Sequence, residues 1–145
     1  MHELIVRPAA APDYEWIRAL PEFPHEDVTE ARALTAGVHL LAERGGELIG
    51  ALTASDNGDW LELVHVHVAF SARRTGAGRA LVLALQAAAI ERARPRILLE
   101  VRQDNLSAIA LYSSLGFTQF HVRKHYYSDG MNALEFEWLP TDRGK

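Results

Sequence analysis

The feature that most constrains this chain is a junction. An alternating apolar run, "LELVHVHVAF" (Leu61 to Phe70), passes through "RRTGAGR" (Arg73 to Arg79) straight into a stretch rich in alanine and leucine. The run has the period of a β-strand. The stretch, built almost wholly from Ala, Leu, Val, Gln, Glu and Arg, predicts a helix over Ala77 to Ala93 that Pro95 ends. A strand that feeds a helix through two glycines leaves the first N–H groups of that helix without intrahelical partners. The missing side chains also let an anion come close to the backbone.

Spacing separates the anion-binding loops that this junction could form. A dinucleotide fingerprint needs a third glycine where Leu81 stands, and no G-x-x-x-x-G-K-[ST] loop occurs anywhere in the chain. What remains is R-x-x-G-x-G-R at a helix entry, which suits a pyrophosphate, with Arg73, Arg74 and Arg79 adding charge. On the residues alone, a purely structural turn stays open beside that reading.

Charge distribution agrees with a phosphate-bearing ligand. From Arg73 to Arg102 there are seven arginines against two acids, Glu91 and Glu100, although the net charge of the chain is −4. The first thirty residues reverse the balance, with Glu3, Asp13, Glu15, Glu22, Glu26, Asp27 and Glu30 against Arg7 and Arg18. An acidic front attracts a cationic partner or is simply a solvated helix face, and the overall charge is not that of a nucleic-acid binder. The absence of cysteine excludes disulfides, thiolate metal sites and a cysteine nucleophile. No apolar run is long enough to span a membrane and "MHELIVRPAA" lacks the regions of a signal peptide, so the expectation is a cytoplasmic protein with no membrane partner.

The 145 residues, 48% of them apolar, suit one domain over 1–145. "ELIVR" (Glu3 to Arg7) reads as a strand, Pro12 to Leu20 as a helix closed by Pro21 and Pro24, and "EDVTEARAL" (Glu26 to Leu34) as a second helix. Arg44-Gly45-Gly46-Glu47 marks a hairpin and Asp56-Asn57-Gly58 the next turn, so the strand Trp60 to Val68 runs antiparallel to its predecessor. "RILLEVR" (Arg96 to Arg102) is a buried-type strand, Ser107 to Leu115 a helix with Gly116 at C′, and "TQFHVRKHYY" and "NALEFEWL" two final strands. This order predicts a mixed α/β domain rather than repeated βαβ units.

"VHVHVAFSARRTGAGRALVLAL" followed by "LLEVRQDNLSAIALYSSLGF" resembles the acetyl-CoA-binding half of the Gcn5-related N-acetyltransferases, over Leu61 to Phe120 with a weaker continuation through "RKHYY". The second block is most similar to the subgroup that acetylates protein N-termini, typified by the ribosomal-protein alanine acetyltransferases. The resemblance implies a mixed, largely antiparallel sheet of about six to seven strands flanked by about four helices. It implies acetyl-CoA as cosubstrate and no metal. It places the coenzyme A pyrophosphate on Arg74, Thr75, Gly76, Ala77, Gly78 and Arg79, the pantetheine arm along the backbone of Val66, His67 and Val68, and a hydrogen bond to that arm on Asn105. One departure is Val68-Ala69-Phe70, where the family often has V-x-P.

Moving an acetyl group from a thioester to an amine requires a neutral amine, a stabilised oxyanion and a proton for the leaving thiolate. An α-amine titrates near ~8 and a lysine near ~10.4, so a base matters more for lysine. The resemblance assigns the base to Glu100 in "LEVR". The residues themselves allow two accounts: a carboxylate desolvated in an apolar strand, or one paired with Arg96 or Arg102. It assigns thiolate protonation to Tyr112, which also falls on an apolar helical stripe with Ile109 and Leu115. Asn105 equally suits a helix N-cap. His65 and His67 share one strand face and suit ordinary hydrogen bonding or a second base, and a metal would need a third ligand that the sequence does not nominate. Tyr126 and Tyr127 match an acceptor-side tyrosine pair, but Met131-Asn132 stand where acids often follow. No G-x-S-x-G elbow supports an acyl-serine route.

The expectation is a single-domain N-acetyltransferase using direct attack, acting on a peptide N-terminus. A small-molecule amine as acceptor, and a non-catalytic acyl-CoA-binding module, stay open. Homodimers are common in the family and the terminal strands would supply the contact, although no residue specifies one.

Overall fold

The hairpin signal at Gly45-Gly46 seeds the sheet. In the computed structural model, which describes residues 3–10, 13, 37–69, 72–73 and 75–140, these glycines take φ of 62° and 81°. Two successive positive φ values make the tight turn whose twist matches its strands. It joins β2 (Val38–Arg44) to β3 (Glu47–Asp56), with Arg44 opposite Glu47. At the far end of β3, Asp56 and Asn57 side chains accept the N–H groups of Gly58, Asp59 and Trp60 at 2.8–2.9 Å and turn the chain into β4 (Leu61–Val68).

With β1 (Leu4–Pro8), β5 (Ile97–Arg102), β6 (Thr118–Arg123) and β7 (Ala133–Trp138), these strands form one seven-stranded sheet in the order β1-β2-β3-β4-β5-β7-β6. Every neighbouring pair is antiparallel except β4 and β5. The mixed, largely antiparallel sheet is therefore as expected. The described residues hold two helices, α1 (Ala77–Glu91) and α2 (Leu106–Ser114). Apart from Asp13, the helices expected over 12–20 and 26–34 lie outside the described residues.

Helix α1 packs the sheet with a stripe of Leu81, Val82, Leu85 and Ala89, each fully buried, against Ala42, Leu52, Ala54 and Leu61. Truncating one of these leucines to alanine costs about 2–5 kcal/mol in such a core. Gly50 lets the helix come close, since a Cβ there would lie 3.2 Å from Leu81 Cδ1 and 3.0 Å from the His67 carbonyl oxygen. The helix stops at Glu91, two residues before the expected Ala93, because Ala93 turns left-handed at φ 58°. Helix α2 ends in the predicted C′ glycine. Gly116 has φ 92°, and the N–H groups of Gly116 and Phe117 return to the carbonyls of Ser113 and Tyr112. The Phe117 ring then packs on Tyr112, 5.7 Å between centroids, so this cap also orients Tyr112.

Two irregularities shape the site. Thr53 pairs with His65 but Ala54 with Leu63, so Val64 is an extra residue in β4. The bulge keeps Val66 and Val68 on the helix-facing side with Leu61 and Leu63 and sends His65 and His67 together to the opposite face. In addition, β4 pairs with β5 only through Leu61–Leu63 against Ile97–Leu99. Beyond Leu63 the two central strands part.

One strand is shorter than expected. Strand β6 ends at Arg123 rather than continuing through Tyr127, because His125 adopts φ 54° and the Asn132 side chain accepts its N–H at 2.9 Å. Tyr126 and Tyr127 consequently stand in a loop, edge to face at 5.1 Å.

Candidate active site

The gap between β4 and β5 opens onto the start of α1, and a groove of about 750 Å³ runs there. Its walls are Val66, His67 and Val68 of β4, Arg73, the turn Gly76 to Arg79, and Asn105, Ser107, Ala108, Leu111 and Tyr112 at α2. Gly76 is the N-cap of α1 at φ 89°, a left-handed position that favours glycine, and the cap makes no side-chain hydrogen bond. The first turn of the helix also holds no acid. Among the described residues no side chain caps these N–H groups, so they and the helix dipole can receive an anion.

Gly78 adds a second observation. A Cβ there would meet Leu111 Cδ2 and Val68 Cγ2 only at 3.7 Å, ordinary contact, so the protein's own packing does not require glycine. A groove of this size, with a helix start in its wall, is large enough for an extended phosphate-bearing ligand.

Arg73 and Arg79 flank the turn. Arg73 Nε donates to the Val68 carbonyl at 3.1 Å, and Arg79 reaches Ser114 Oγ at 3.4 Å while staying exposed. Thr75 is not part of the groove lining, because its hydroxyl donates to the Ala72 carbonyl and closes the turn. Arg74 lies outside the described residues. Asn105 caps α2 through Oδ1, which accepts from Ala108 N at 3.2 Å, so the capping role is realised. Asn105 also borders the groove.

A smaller cavity of about 220 Å³ adjoins the groove, lined by Leu63 to Val66, Leu99 to Arg102 and Tyr127. It contains Glu100, and it shares Val66, Asn105, Ala108 and Tyr112 with the groove. Tyr112 is 9% exposed, and burial pushes its phenol up to about 12, so the hydroxyl is a neutral donor at the junction. His67 borders the groove and His65 the smaller cavity, their rings parallel and 6.5 Å apart. Among the described residues, no three His, Asp or Glu side chains gather as a metal site.

Glu100 does not sit in the apolar setting that its strand suggests. Its side chain is 26% exposed, and Arg123 Nε of β6 lies 3.1 Å from Oε2. The arginines considered from sequence have other partners: Arg96 pairs with Glu137 at 2.9 Å, and Arg102 with Asp129 at 2.7 Å and Asp104 at 3.1 Å. Tyr126 donates its phenol to Glu100, whose charge is the main cause raising the Tyr126 pKa, and Tyr127 is raised by burial first and by Glu100 second. Arg123 and Glu135 were not legible as site residues, since their proximity to Glu100 follows from the β5-β7-β6 register.

Comparison with known proteins agrees with the fold. The family model described as "Acetyltransferase (GNAT) family" matches residues 6–117. An N-alpha-acetyltransferase of Sulfurisphaera tokodaii is 33% identical over 129 residues, 79% of this chain and 77% of that protein. The [Ribosomal protein bS18]-alanine N-acetyltransferase of Escherichia coli K12 is 41% identical over 70 residues, 47% of each chain. The crystal structure of the ribosomal-protein-S18-alanine N-acetyltransferase from Escherichia coli superposes with a TM-score of 0.79 at 23% identity, covering 94% of both chains, and so shares the fold.

Proposed function

The chain belongs to the GNAT family of acetyltransferases, and from that premise we propose that it moves the acetyl group of acetyl-CoA onto a primary amine by direct attack, with a protein N-terminus as the acceptor. The observation that carries this reading is the wall shared by two cavities. The donor groove and the Glu100 cavity meet at Val66, Asn105, Ala108 and Tyr112, so a thioester reaching Tyr112 from one side faces an amine entering from the other.

The residues divide the work by position. The first-turn N–H groups of α1, with Gly76, Ala77, Gly78, Arg74 and Arg79, hold the pyrophosphate, and Arg73 steadies the turn. Asn105 and the β4 backbone from Val66 to Val68, left without a β5 partner, bind the pantetheine amides. A β4 N–H polarises the thioester carbonyl, where such a donor contributes about 3–4 kcal/mol to transition-state stability.

An α-ammonium with a pKa near ~8 is roughly 10% neutral at pH 7, whereas a lysine near ~10.4 is well under ~0.1% neutral. Glu100 removes the amine proton through a water as nitrogen attacks the carbonyl carbon. The C–S bond then breaks, and Tyr112 donates its hydrogen bond to the departing sulfur. With the phenol up at about 12, complete transfer to a thiol of ~8.5 runs uphill in water. Burial of the thiolate in the same groove raises its basicity and narrows that difference. Such acid–base assistance is worth roughly 100- to 10,000-fold in rate.

The test is thiol release from acetyl-CoA against N-terminal peptides, lysine peptides and polyamines, with Glu100→Gln and Tyr112→Phe alongside. Turnover restricted to N-terminal peptides, lowered at least 100-fold in both variants with coenzyme A affinity retained, supports the reading. Turnover on polyamines instead makes the acceptor a small molecule. Tight coenzyme A binding with no turnover on any acceptor makes the chain a binding module.

A further inference from the structure

Glu100 faces a second carboxylate. Across the β5-β7 ladder its direct partner is Glu135, and like charges opposite each other in a sheet repel. Arg123, on the neighbouring strand β6, spans both: its Nε lies 3.1 Å from Glu100 Oε2 and 3.1 Å from Glu135 Oε1. That nitrogen carries one hydrogen. The hydrogen bond it makes is to Glu135, and the contact with Glu100 is an ion pair alone. The same Glu135 oxygen also meets His121 Nδ1 at 2.8 Å. Burial pushes the Glu135 carboxyl up, but the hydrogen bonds from His121 and Arg123 outweigh it and hold the group below the usual carboxylate range. Glu135 is therefore a standing anion with no path of its own to the donor groove, whose lining does not include it.

We propose that Glu135 is a positioning residue for the transfer: by taking the single Nε hydrogen of Arg123, it keeps that N–H from hydrogen-bonding Glu100, holds the contact to an ion pair, and leaves the Glu100 carboxylate open to receive a proton. The proposal rests on the reading of Glu100 as the base. Without Glu135, Arg123 has one carboxylate left within reach and closes on it. A charge-assisted hydrogen bond to the ionised form lowers the proton affinity of Glu100, and a weaker base is slower at neutral pH. The other titratable groups around Glu100 are Glu62 on β4, His65 beside the bulge, Arg102 on its own strand, Tyr112 of α2, and Tyr126 and Tyr127 from the loop. Of these, Tyr126 lies under the Arg123 guanidinium, 5.5 Å from its central carbon to the ring centroid, while the Nε hydrogen bond goes to Glu135.

The test measures kcat, both KM values and the pH profile of kcat/KM for wild type, Glu135→Gln, Arg123→Gln, the double variant and Glu100→Gln, with thermal unfolding as a folding control. Glu135→Gln is expected to lower kcat roughly tenfold with the acetyl-CoA KM unchanged, and to move the acidic limb down by about one pH unit. The double variant is expected to recover most of that loss, because the residue that blocks the base is gone. Arg123→Gln alone is expected to move the acidic limb up, a reading that stands even where Glu135→Gln does not fold. A wild-type profile in Glu135→Gln, or a double variant no faster than it, overturns the inference and leaves Glu135 a purely structural partner of His121. If Glu100→Gln keeps wild-type turnover, the base assignment itself fails. If Glu100→Gln is inactive while the double variant shows no recovery, only the positioning role fails.

Discussion

Alanine at position 78 should make the protein slightly more stable and a much poorer binder of coenzyme A, two effects of opposite sign from one methyl group. Gly78 is the second residue of α1, is not among the glycines with positive φ, and has room for a Cβ at 3.7 Å from both Leu111 and Val68. Alanine is preferred over glycine in a helix interior by about 1 kcal/mol, and in a first turn roughly half of that is expected. On the proposed reading, the same methyl enters the groove beside the N–H groups that would receive the pyrophosphate. Loss of one hydrogen bond to a charged group costs about 1.5–3 kcal/mol, or roughly 10- to 150-fold in affinity. Calorimetric titration with coenzyme A gives the binding term, and urea unfolding without ligand gives the stability term. Affinity within about twofold of wild type would refute the placement of the anion on this backbone. Loss of both affinity and stability would refute the steric argument instead, since the methyl would then have distorted the helix start.

Two further substitutions probe the supports of the site. Asp56 takes Arg92 and Arg94 at 2.8 Å each, and the hydrogen bond from Arg94, foremost, holds its carboxyl at about 2. The two arginines are 34% and 26% exposed, so solvent screening reduces the contribution to about 1–1.5 kcal/mol. Because the folded pKa is depressed, this stability is present above the unfolded value near ~3.9 and is lost as pH falls toward about 2. Urea curves of Asp56→Asn should therefore fall below wild type at pH 7 and converge with it in acid; a constant gap would count against the ion pairs. Gln86, 1% exposed, donates to the Leu115 carbonyl at 2.9 Å and ties the end of α2 to α1. Gln86→Leu should cost about 1–2 kcal/mol in thermal unfolding and raise KM for acetyl-CoA, and an unchanged melting curve would dismiss the tie.

What was legible in the sequence was local chemistry. The Gly45-Gly46 turn, the body of α1 and the Gly116 cap each depend on residues within a few positions of one another, and each stands where the pattern placed it. The glycine turn could be singled out for the same reason, whereas Tyr112 on its own residues suited core packing and was singled out by resemblance to the family. The surroundings of Glu100 were not legible, because strand neighbours Arg96 and Arg102 turn to Glu137, Asp104 and Asp129, while Arg123 arrives through a ladder two strands away. The end of β6 was hidden too, since a side chain seven residues downstream, Asn132, stabilises the left-handed His125. Nothing in the alternation of "LVHVHV" marks Val64 as a bulge, which exists only relative to β3.

The parting of β4 from β5 makes the sheet a book with two leaves, β1 to β4 on one side and β5, β7 and β6 on the other, bound along a spine of Leu61–Leu63 and Ile97–Leu99. Leu61, Leu63, Ile97 and Leu99 are between 0% and 6% exposed, so the spine is packed tight although it is short. Its packing fixes the angle at which the leaves open, and with it the span between the glycine turn on one leaf and Glu100 on the other. Acyl transfer in this protein is thereby exposed to changes in core volume at four aliphatic side chains, two of which, Leu61 and Ile97, border neither cavity. A lost methyl there would act on the reaction as a change of aperture.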